Sequence, residues 1–213
     1  MAFRQRAQES ASKPPVGAAR SEAVPLAGQP CGSLARVLAR VFRSSKPEVL
    51  NLGPLCGETV VYLAGRGARV HVEEFDPPAP VPMRQPGEPP TALKPFRLDQ
   101  PTGRANLVLA WEMTDFIPPD RLAEYGDELR RLMADGGSLF LFSHQRPDAQ
   151  NEPLRRYRVL ADDMVVREVA GGVTHRRWIH PTREVERALA GFSIQGVQLQ
   201  RNQMREIVAV RAG

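Results

Sequence analysis

Two glycines, one cysteine and two carboxylates have the residue types and the spacing of a ligand-binding turn. Gly53, Cys56 and Gly57 lie between an apolar run and a helix-like segment, and Glu73 and Glu74 end the next apolar run. A glycine turn before a helix lets the backbone approach a ligand, and the helix N-terminus offers unpaired N–H groups to an anion. The alternative is an ordinary strand-to-helix turn beside solvated charges. Cys56 is either a reactive thiol, since helix N-termini favour thiolates, or, as we favour, a small packing residue.

The histidines do not form a recognisable metal set. The four of them are His71, His144, His175 and His180. Neither cysteine has a paired Cys or His at the spacing of a structural zinc site, so we predict no metal. His144 directly follows a predicted buried strand. It is therefore either a general base that faces a crevice or, as we favour, a hydrogen-bonded structural histidine.

Hydrophobic periodicity predicts a strand–helix–strand unit around the glycine turn. An amphipathic helix precedes this unit, and its apolar stripe is formed by Leu34, Val37, Leu38, Val41 and Phe42. A strand at 49–52, the turn, a helix at 58–64 and a strand at 70–73 follow. This order is typical of a βαβ crossover, which places its two strands parallel in one sheet.

A proline-rich segment, 77–101, separates this unit from the next regular elements. It contains nine of the 20 prolines, which excludes a regular helix and leaves room for one short strand at 96–98. A buried strand at 107–111 follows, and then a short strand at 138–142 that is apolar on all sides, as in the middle of a parallel sheet. Between them, Asp120 is the predicted cap of a helix whose apolar face consists of Leu122, Tyr125, Leu129 and Leu132.

The last third of the chain has a different pattern. Alternating segments at 157–160 and 164–169 predict a hairpin or a pair of edge strands. A helix over 182–189, capped by its first residue, comes next. Two strands, at 192–199 and 206–210, close the predicted fold.

Composition indicates a single-domain protein with a mild positive charge. The 213 residues are 42% hydrophobic, which excludes a wholly disordered chain, and the net charge is +5. Only three of the 29 basic residues are lysines, so the charge is carried by arginine, which reflects either phosphate binding or genome composition. The two cysteines allow one disulfide at most, and no apolar run reaches the roughly 18 residues of a membrane span. We predict a soluble protein in a reducing, cytoplasmic setting.

The predicted organisation is a flexible N-terminal tail, 1–30, and one domain, 31–213. The domain contains the proline-rich loop, 77–101, and an inserted hairpin at 154–180. The span 155–187 holds eight arginines against five acids, a mixture that either binds a phosphate-bearing substrate or RNA or, as we favour, forms a solvated surface. A homodimer interface on this hairpin is a third alternative, and the sequence leaves it open.

The order of these elements resembles the class I S-adenosylmethionine-dependent methyltransferases over residues 34–211. The pieces that carry the resemblance are 48–76, 105–111 and 132–142, together with 191–210, which is similar to that family's terminal antiparallel pair. The resemblance implies an α/β, Rossmann-like fold with a mostly parallel, seven-stranded sheet that ends in an antiparallel hairpin. It also implies S-adenosylmethionine as the cofactor.

The resemblance implies cofactor contacts at six positions, which are Gly53, Gly57, Glu73, Glu74, Asp99 and Trp111. In such a site the glycine turn faces the methionine carboxylate, and an acid at the end of the second strand accepts both ribose hydroxyls. Strand alternation sends the two glutamates to opposite sides, so we leave open which of them contacts the ribose. Asp99 stands where the family bonds the adenine amine, and Trp111 and Glu112 stand near the transferred methyl. No catalytic residue is assigned, because methyl transfer leaves no fixed catalytic signature.

The turn departs from the family's pattern at several positions. Asn51 stands where the family has an acid, Pro54 removes a backbone donor, and a third glycine is missing. The leading hypothesis is a methyltransferase that acts on an unidentified small molecule or protein, with no membrane partner. The alternative is a non-catalytic interaction or scaffold protein of the same fold, which predicts an occluded or apolar crevice. An open, polar cleft beside Glu73 would count against that alternative, and nucleic-acid binding is the weakest of the three hypotheses.

Overall fold

The computed structural model describes residues 28–74, 76–80, 95–146 and 150–213, which form β-strands, α-helices and 3₁₀ turns. The strands are β1 (Gln29–Pro30), β2 (Glu48–Leu52), β3 (Arg69–Glu73), β4 (Ala105–Trp111), β5 (Met133–His144), β6 (Asn151–Ala161), β7 (Met164–Arg176), β8 (Phe192–Leu199) and β9 (Met204–Arg211). The helices are α1 (Gly32–Val41), α2 (Gly57–Gly65), α3 (Leu122–Leu132) and α4 (Thr182–Ala188). Two 3₁₀ turns, Met113–Phe116 and Pro119–Arg121, lie between β4 and α3.

The central sheet is mixed and mostly parallel. Its six strands run in the order β3-β2-β4-β5-β9-β8. The first four are parallel to one another, whereas β9 is antiparallel to both β5 and β8. The predicted βαβ crossover and the terminal antiparallel pair are therefore confirmed. A second sheet, in the order β1-β7-β6, is antiparallel throughout.

Helices and the β6–β7 hairpin cover the two faces of the central sheet. Leu139 and Leu141 of β5 belong to the core beneath α3 and α4, while Phe140 and Phe142 belong to the core beneath α1, α2 and the hairpin. Alternate residues of one strand thus enter two cores, which is why the segment 139–142 of β5 is apolar without interruption. In α1 the predicted stripe faces the sheet, and complete burial of its Leu34 contributes roughly 1.5–3 kcal/mol.

The predicted strand at 96–98 does not form, so the central sheet has six strands among the described residues, where seven were predicted. The backbone N of Leu98 donates to Oε1 of Glu128 at 2.7 Å, and its carbonyl oxygen accepts from Nη2 of Arg131 at 3.1 Å. Both partners are side chains of α3. Because these side chains satisfy the polar backbone groups, the segment needs no neighbouring strand.

The hairpin that was predicted at 154–180 spans 151–176, and its strands β6 and β7 are longer than the alternating segments 157–160 and 164–169. The predicted tail, 1–30, includes β1, whose Gln29 pairs with Val165 of β7. The rest of that tail, 1–27, and residues 81–94 of the proline-rich loop lie outside the described residues.

Two predicted helix caps are wrong. Asp120 lies inside a 3₁₀ turn, and no side-chain hydrogen bond caps α3. Thr182 is the first residue of α4, where its hydroxyl accepts from Nη1 of Arg205 at 2.7 Å instead of capping the helix. None of the helices in the described ranges combines the length and the apolar composition needed to span a bilayer.

Candidate functional site

The candidate site lies at the carboxyl ends of the parallel strands. In the sheet order, β2 has β3 on one side and β4 on the other, so the order of succession reverses between β2 and β4. Open α/β sheets bind ligands at such a switch point, in the crevice outside the carboxyl ends of the strands. The residues that follow β2, β3, β4 and β5 meet at this edge.

The turn after β2 has one position that requires glycine. Gly53 has a φ of +102°, and a Cβ built on it would lie 2.9 Å from Sδ of Met113. Its backbone N donates to the carbonyl oxygen of Glu73 at 2.9 Å, which joins the turn to the end of β3. Gly57 differs, because it is exposed at the start of α2 with open space where a Cβ would lie. Gly53 therefore shapes the turn, and Gly57 leaves the first turn of α2 open to solvent.

Neutral donors hold the two glutamates at the end of β3. Oε1 of Glu73 accepts from the backbone N of Asp99 at 3.1 Å, and its Oε2 accepts from Nε2 of Gln100 at 2.7 Å. Oε1 of Glu74 accepts from the backbone N of Leu55 at 2.6 Å. Each of these donors is an uncharged N–H group, so the hydrogen bonds orient the carboxylates without neutralising their charge.

A cavity of about 440 Å³, which we name the cofactor cavity, opens beside the two glutamates. Its lining consists of Leu55, Val72, Glu73, Glu74, Asp99 and Gln100. Three of the predicted cofactor contacts, Glu73, Glu74 and Asp99, therefore come together here. Strand alternation does not separate the two glutamates, because β3 ends at Glu73 and the extended pattern does not continue to Glu74.

Trp111 lies in the core, which corrects its predicted place at the cofactor. It is 3% exposed, its Nε1 donates to Oδ1 of Asn51 at 2.7 Å, and its ring stacks on Tyr157 with centroids 4.6 Å apart. Asn51 stands where the family has an acid. Its amide oxygen satisfies the buried indole N–H without burying a charge, which gives the asparagine a structural reason. The hairpin that carries Tyr157 covers the ring.

A buried cluster of charges that the sequence patterns did not connect fills the ends of β4 and β5. Glu112, the residue after β4, accepts from the hydroxyl of Tyr157 and forms ion pairs with Arg167 and Arg177. Nη1 of Arg177 also lies 3.3 Å from Oδ2 of Asp115. We refer to Glu112, Asp115, His144, Arg167 and Arg177 as the charge cluster. The sequence pattern predicted Glu112 at the strand end, but it favoured a solvated surface for the hairpin arginines.

His144 is held inside the charge cluster. Its backbone N and its Nδ1 lie 2.9 Å and 2.8 Å from Oδ2 of Asp115, and Nη1 of Arg177 lies 2.7 Å from Nδ1. The residue is 9% exposed. This geometry favours the structural histidine over the general base.

Glu112 and Tyr157 each keep one charge state around neutral pH. Burial raises the pKa of Glu112, but the guanidiniums of Arg167 and Arg177 outweigh burial and lower it to about 2. Burial raises the pKa of Tyr157 well above its usual value, and the neighbouring charge of Glu112 raises it further. An ionised carboxylate therefore accepts from a neutral phenol at this position.

The remaining candidates for reactivity are packing residues in this structure. Cys56 is 4% exposed, and its Sγ lies 3.5 Å from Oε2 of Glu58. Cys31 and Cys56 are both buried and unpaired. Within the described ranges, no three His, Cys, Asp or Glu side chains converge in a way that could hold a metal ion.

A second cavity, of about 460 Å³, lies between the glycine turn and the β6–β7 hairpin. Its lining consists of Pro54, Glu74, Asp76, Leu154, Ala170, Gly171, Gly172, Val173 and His175. Glu74 also lines the cofactor cavity, so the two cavities adjoin at this residue. We name this second space the hairpin cavity.

Comparisons with known proteins identify a fold. No family model and no curated protein matches the chain. Among solved structures, it is similar to the 1,6-didemethyltoxoflavin-N1-methyltransferase of Burkholderia thailandensis, with 15% identity over 85% of this chain and 77% of that chain and a TM-score of 0.50. It is also similar to a SAM-dependent methyltransferase of Methanosarcina mazei, with 12% identity over 82% of this chain and 97% of that chain and a TM-score of 0.51. The chain therefore has the Rossmann-like α/β fold of the class I S-adenosylmethionine-dependent methyltransferases.

Proposed function

We propose that the protein binds S-adenosylmethionine in the cofactor cavity and transfers its methyl group to an acceptor. The observation that carries the proposal is an open cavity of about 440 Å³ beside the carboxyl ends of β2 and β3, lined by the carboxylates of Glu73, Glu74 and Asp99. A non-catalytic member of the fold predicts an occluded or apolar crevice at the same place. The polar lining beside Glu73 counts against that prediction.

The residues around the cofactor cavity fit the functional groups of S-adenosylmethionine. Its ribose hydroxyls and adenine amine are donors, and Glu73, Glu74 and Asp99 offer carboxylate acceptors. The N-terminus of α2 at Gly57 offers its positive dipole end to a carboxylate, beside Glu58, whose own carboxylate accepts from its backbone N–H. Bound S-adenosylmethionine supplies an electrophilic methyl group on a sulfonium cation, and the negative charge of the lining favours a cation.

The similar solved structures support the proposed class of chemistry. The Burkholderia thailandensis protein is an N1-methyltransferase whose structure holds 1,6-didemethyltoxoflavin and S-adenosylhomocysteine. The Methanosarcina mazei protein is described as a SAM-dependent methyltransferase. These structures share the fold of this chain, and this likeness supports the proposal without identifying the acceptor.

A non-catalytic interaction or scaffold role is the second candidate function, and the end of β4 favours it. The resemblance expects contacts near the transferred methyl at Trp111 and Glu112. In this structure Trp111 is in the core and Glu112 is locked in ion pairs. Pro54 lacks an N–H group, and Glu74 already accepts from the N–H of Leu55, so the turn offers few donors to a ligand.

We further propose a small molecule or a protein as the acceptor, in a cytoplasmic setting. The two free, buried cysteines support a reducing compartment. Nucleic acid is not favoured, because arginines of the hairpin are paired internally. Arg156 and Arg158, for example, both pair with Glu168. A homodimer through the hairpin stays a prediction.

Calorimetric titration with S-adenosylmethionine and S-adenosylhomocysteine tests the proposal. We expect micromolar binding, about −8 kcal/mol, by the wild-type protein. Gly57→Asp puts a carboxylate at the N-terminus of α2, where it repels the carboxylate of the cofactor, and we expect affinity at least about tenfold weaker. Glu73→Gln and Glu74→Gln, titrated separately, show which carboxylate contacts the ribose, because that variant loses the larger share of the affinity.

Glu186→Gln is the matched control, since it removes one carboxylate from an exposed position of α4, remote from the cavity lining. We expect it to bind both ligands as the wild type does. If the wild-type protein is folded by circular dichroism and binds neither ligand, the proposal is wrong and the scaffold role takes its place. Release of S-adenosylhomocysteine in the presence of acceptor candidates then separates a binding protein from a transferase.

A further inference from the structure

Strand β7 carries an insertion opposite one residue of β6. Pro153 pairs with Thr174, and Arg155 pairs with Val169, so Leu154 alone faces the four residues 170–173. A bulge of this size pushes the chain out of the plane of the ladder. Its two glycines allow the path, since Gly171 and Gly172 have φ values of +111° and +34°.

The bulge, residues 170–173, forms one wall of the hairpin cavity. Leu154 lies behind it, and Val173, which is 69% exposed, lies on the bulge itself. The facing wall is formed by Pro54 of the glycine turn, Glu74 and Asp76. One side of the space is therefore apolar and glycine-rich, and the other side carries two exposed carboxylates. A volume of about 460 Å³ is within the range of small-molecule sites.

The charge of the hairpin cavity is opposite to that of the chain. The protein has 29 basic residues against 24 acidic ones, and arginines are dense in the hairpin. Among the described residues that line the cavity, however, there are two carboxylates and neither arginine nor lysine. His175 is the one titratable base in that lining. Such a site attracts a cation and repels a carboxylate or a phosphate.

We propose that the hairpin cavity binds the methyl acceptor, and that the acceptor is a small molecule with an apolar body and a protonated amine. The apolar body packs against Leu154 and Val173, and the amine faces Asp76 and Glu74. This inference rests on the proposed function, because it places the acceptor beside the cofactor cavity that shares Glu74. The bulge is then the element that selects the acceptor, since it supplies the wall that the sheet itself lacks.

Three probes of one shape and different charge test this inference: benzylamine, benzyl alcohol and benzoate. Binding is measured by NMR titration of the amide spectrum of the full chain. We expect benzylamine to bind at least about tenfold more tightly than benzoate, with benzyl alcohol between them; tenfold corresponds to about 1.4 kcal/mol. Asp76→Asn should reduce this preference, because it removes one of the two carboxylates and keeps the shape.

Val173→Arg places a cation on the bulge and should weaken benzylamine binding about tenfold or more. Val61→Arg is the matched control, because Val61 is 72% exposed on α2 and lies outside the cavity lining. We expect this control to bind benzylamine as the wild type does. Equal binding of the three probes, no binding of benzylamine, or equal effects of the two arginine variants would overturn the inference.

S-adenosylmethionine titrated into the wild-type protein separates this test from that of the proposed function. If the cofactor binds and benzylamine does not, the hairpin cavity is not the acceptor site, and the proposed function stands. If benzylamine binds with the expected preference and the cofactor does not, the cavity is a site for cationic amines, and the assignment of its ligand as a methyl acceptor is wrong.

Discussion

The carboxylates at the two halves of the sheet's carboxyl edge, the end of β3 and the end of β4, have different partners. At the end of β3, Glu73 and Glu74 are held by neutral N–H groups and line an open cavity. At the end of β4, Glu112 is 2% exposed and paired with Arg167 and Arg177. A buried carboxylate needs a cationic partner, and only the second half has a hairpin that supplies one. The carboxylate paired with arginines stabilises the fold, and the carboxylates without a cationic partner are available to a ligand.

Substitution of Arg177 should cause the largest loss of stability among the variants considered. Its guanidinium faces Glu112, Asp115 and Glu152, and the residue is 4% exposed. Arg177→Met leaves buried carboxylates without their cation, so we expect the free energy of unfolding to fall by about 3–5 kcal/mol. Urea denaturation measures it. Arg183→Met, at an exposed position of α4, should change the same quantity by less than about 0.5 kcal/mol. Equal losses in the two variants would show that the ion pairs of Arg177 do not stabilise the fold.

Acid should destabilise the fold through Glu112 at the end of β4. Burial raises the pKa of this carboxyl, but Arg167 and Arg177 outweigh burial and bring it to about 2 in the folded state, below its ordinary value of 4.5. Between these two values the unfolded chain binds more protons than the folded one, so the free energy of unfolding falls as the pH falls through this window. The contribution is on the order of 3 kcal/mol. It is fully present above pH 4.5.

Urea denaturation at a series of pH values measures this dependence. In Glu112→Gln the slope of unfolding free energy against pH should be shallower between pH 4.5 and 2 than in the wild type, because the titrating group is gone. Glu186→Gln, at an exposed position, should keep the wild-type slope. If Glu112→Gln keeps it as well, other carboxyls account for the acid sensitivity.

In the turn between β2 and α2, the stability of the fold should depend on Gly53 and should tolerate a substitution of Gly57. A Cβ at Gly53 meets Sδ of Met113 at 2.9 Å and forces an L-residue to a φ of +102°. We expect Gly53→Ala to lose roughly 1–3 kcal/mol of unfolding free energy. Gly57→Ala meets open space and should be neutral or more stable by up to about 1 kcal/mol, since alanine favours the helix. Thermal unfolding of the pair checks the contrast, and an equal effect would contradict the strained turn.

The smallest effect on the free energy of unfolding is expected at Asp162, at the exposed end of the β6–β7 hairpin. Asp162 accepts from the hydroxyl of Tyr62 at 2.5 Å and pairs with Arg66, and the Asp162 and Arg66 side chains are 42% and 30% exposed. Asp162→Asn should cost less than about 1 kcal/mol, because solvent screens exposed ion pairs. High salt should shrink the difference further in urea denaturation. A loss as large as that of Arg177→Met would show that burial does not set the strength of these pairs.

Local pattern predicted most of the elements because each depends on residues close in sequence. The period of the α1 stripe, the apolar runs of β4 and β5, and the turn at Gly53 are all properties of neighbouring residues. The strand at 96–98 failed for the opposite reason. Glu128 and Arg131, about 30 residues away, satisfy its backbone groups, and no local pattern shows this.

In the candidate site, too, the predicted contacts depend on local sequence and the missed ones depend on residues far apart in the chain. Glu73, Glu74 and Asp99 were predicted as cofactor contacts, and they share a cavity because Glu73 ends β3, Glu74 follows it and the backbone N of Asp99 donates to Oε1 of Glu73. The position of Trp111 in the core depends on Asn51, 60 residues earlier, and on a ring of the hairpin, 46 residues later. The charge cluster was missed, because Glu112 and Arg177 are 65 residues apart and neither has a sequence signal for the other.

By itself, then, the sequence determined the order of most strands and helices, the glycine turn and the acids at the end of β3, because periodicity and backbone conformation are local. Only the tertiary structure decided which carboxylates are buried with arginines and which face a cavity. That choice depends on the path of the β6–β7 hairpin, which brings Tyr157, Arg167 and Arg177 over one half of the edge and places its bulge beside the other. Burial and the partner of a charge are properties of the whole fold, and they separate the structural half of the edge from the half that we propose binds ligands.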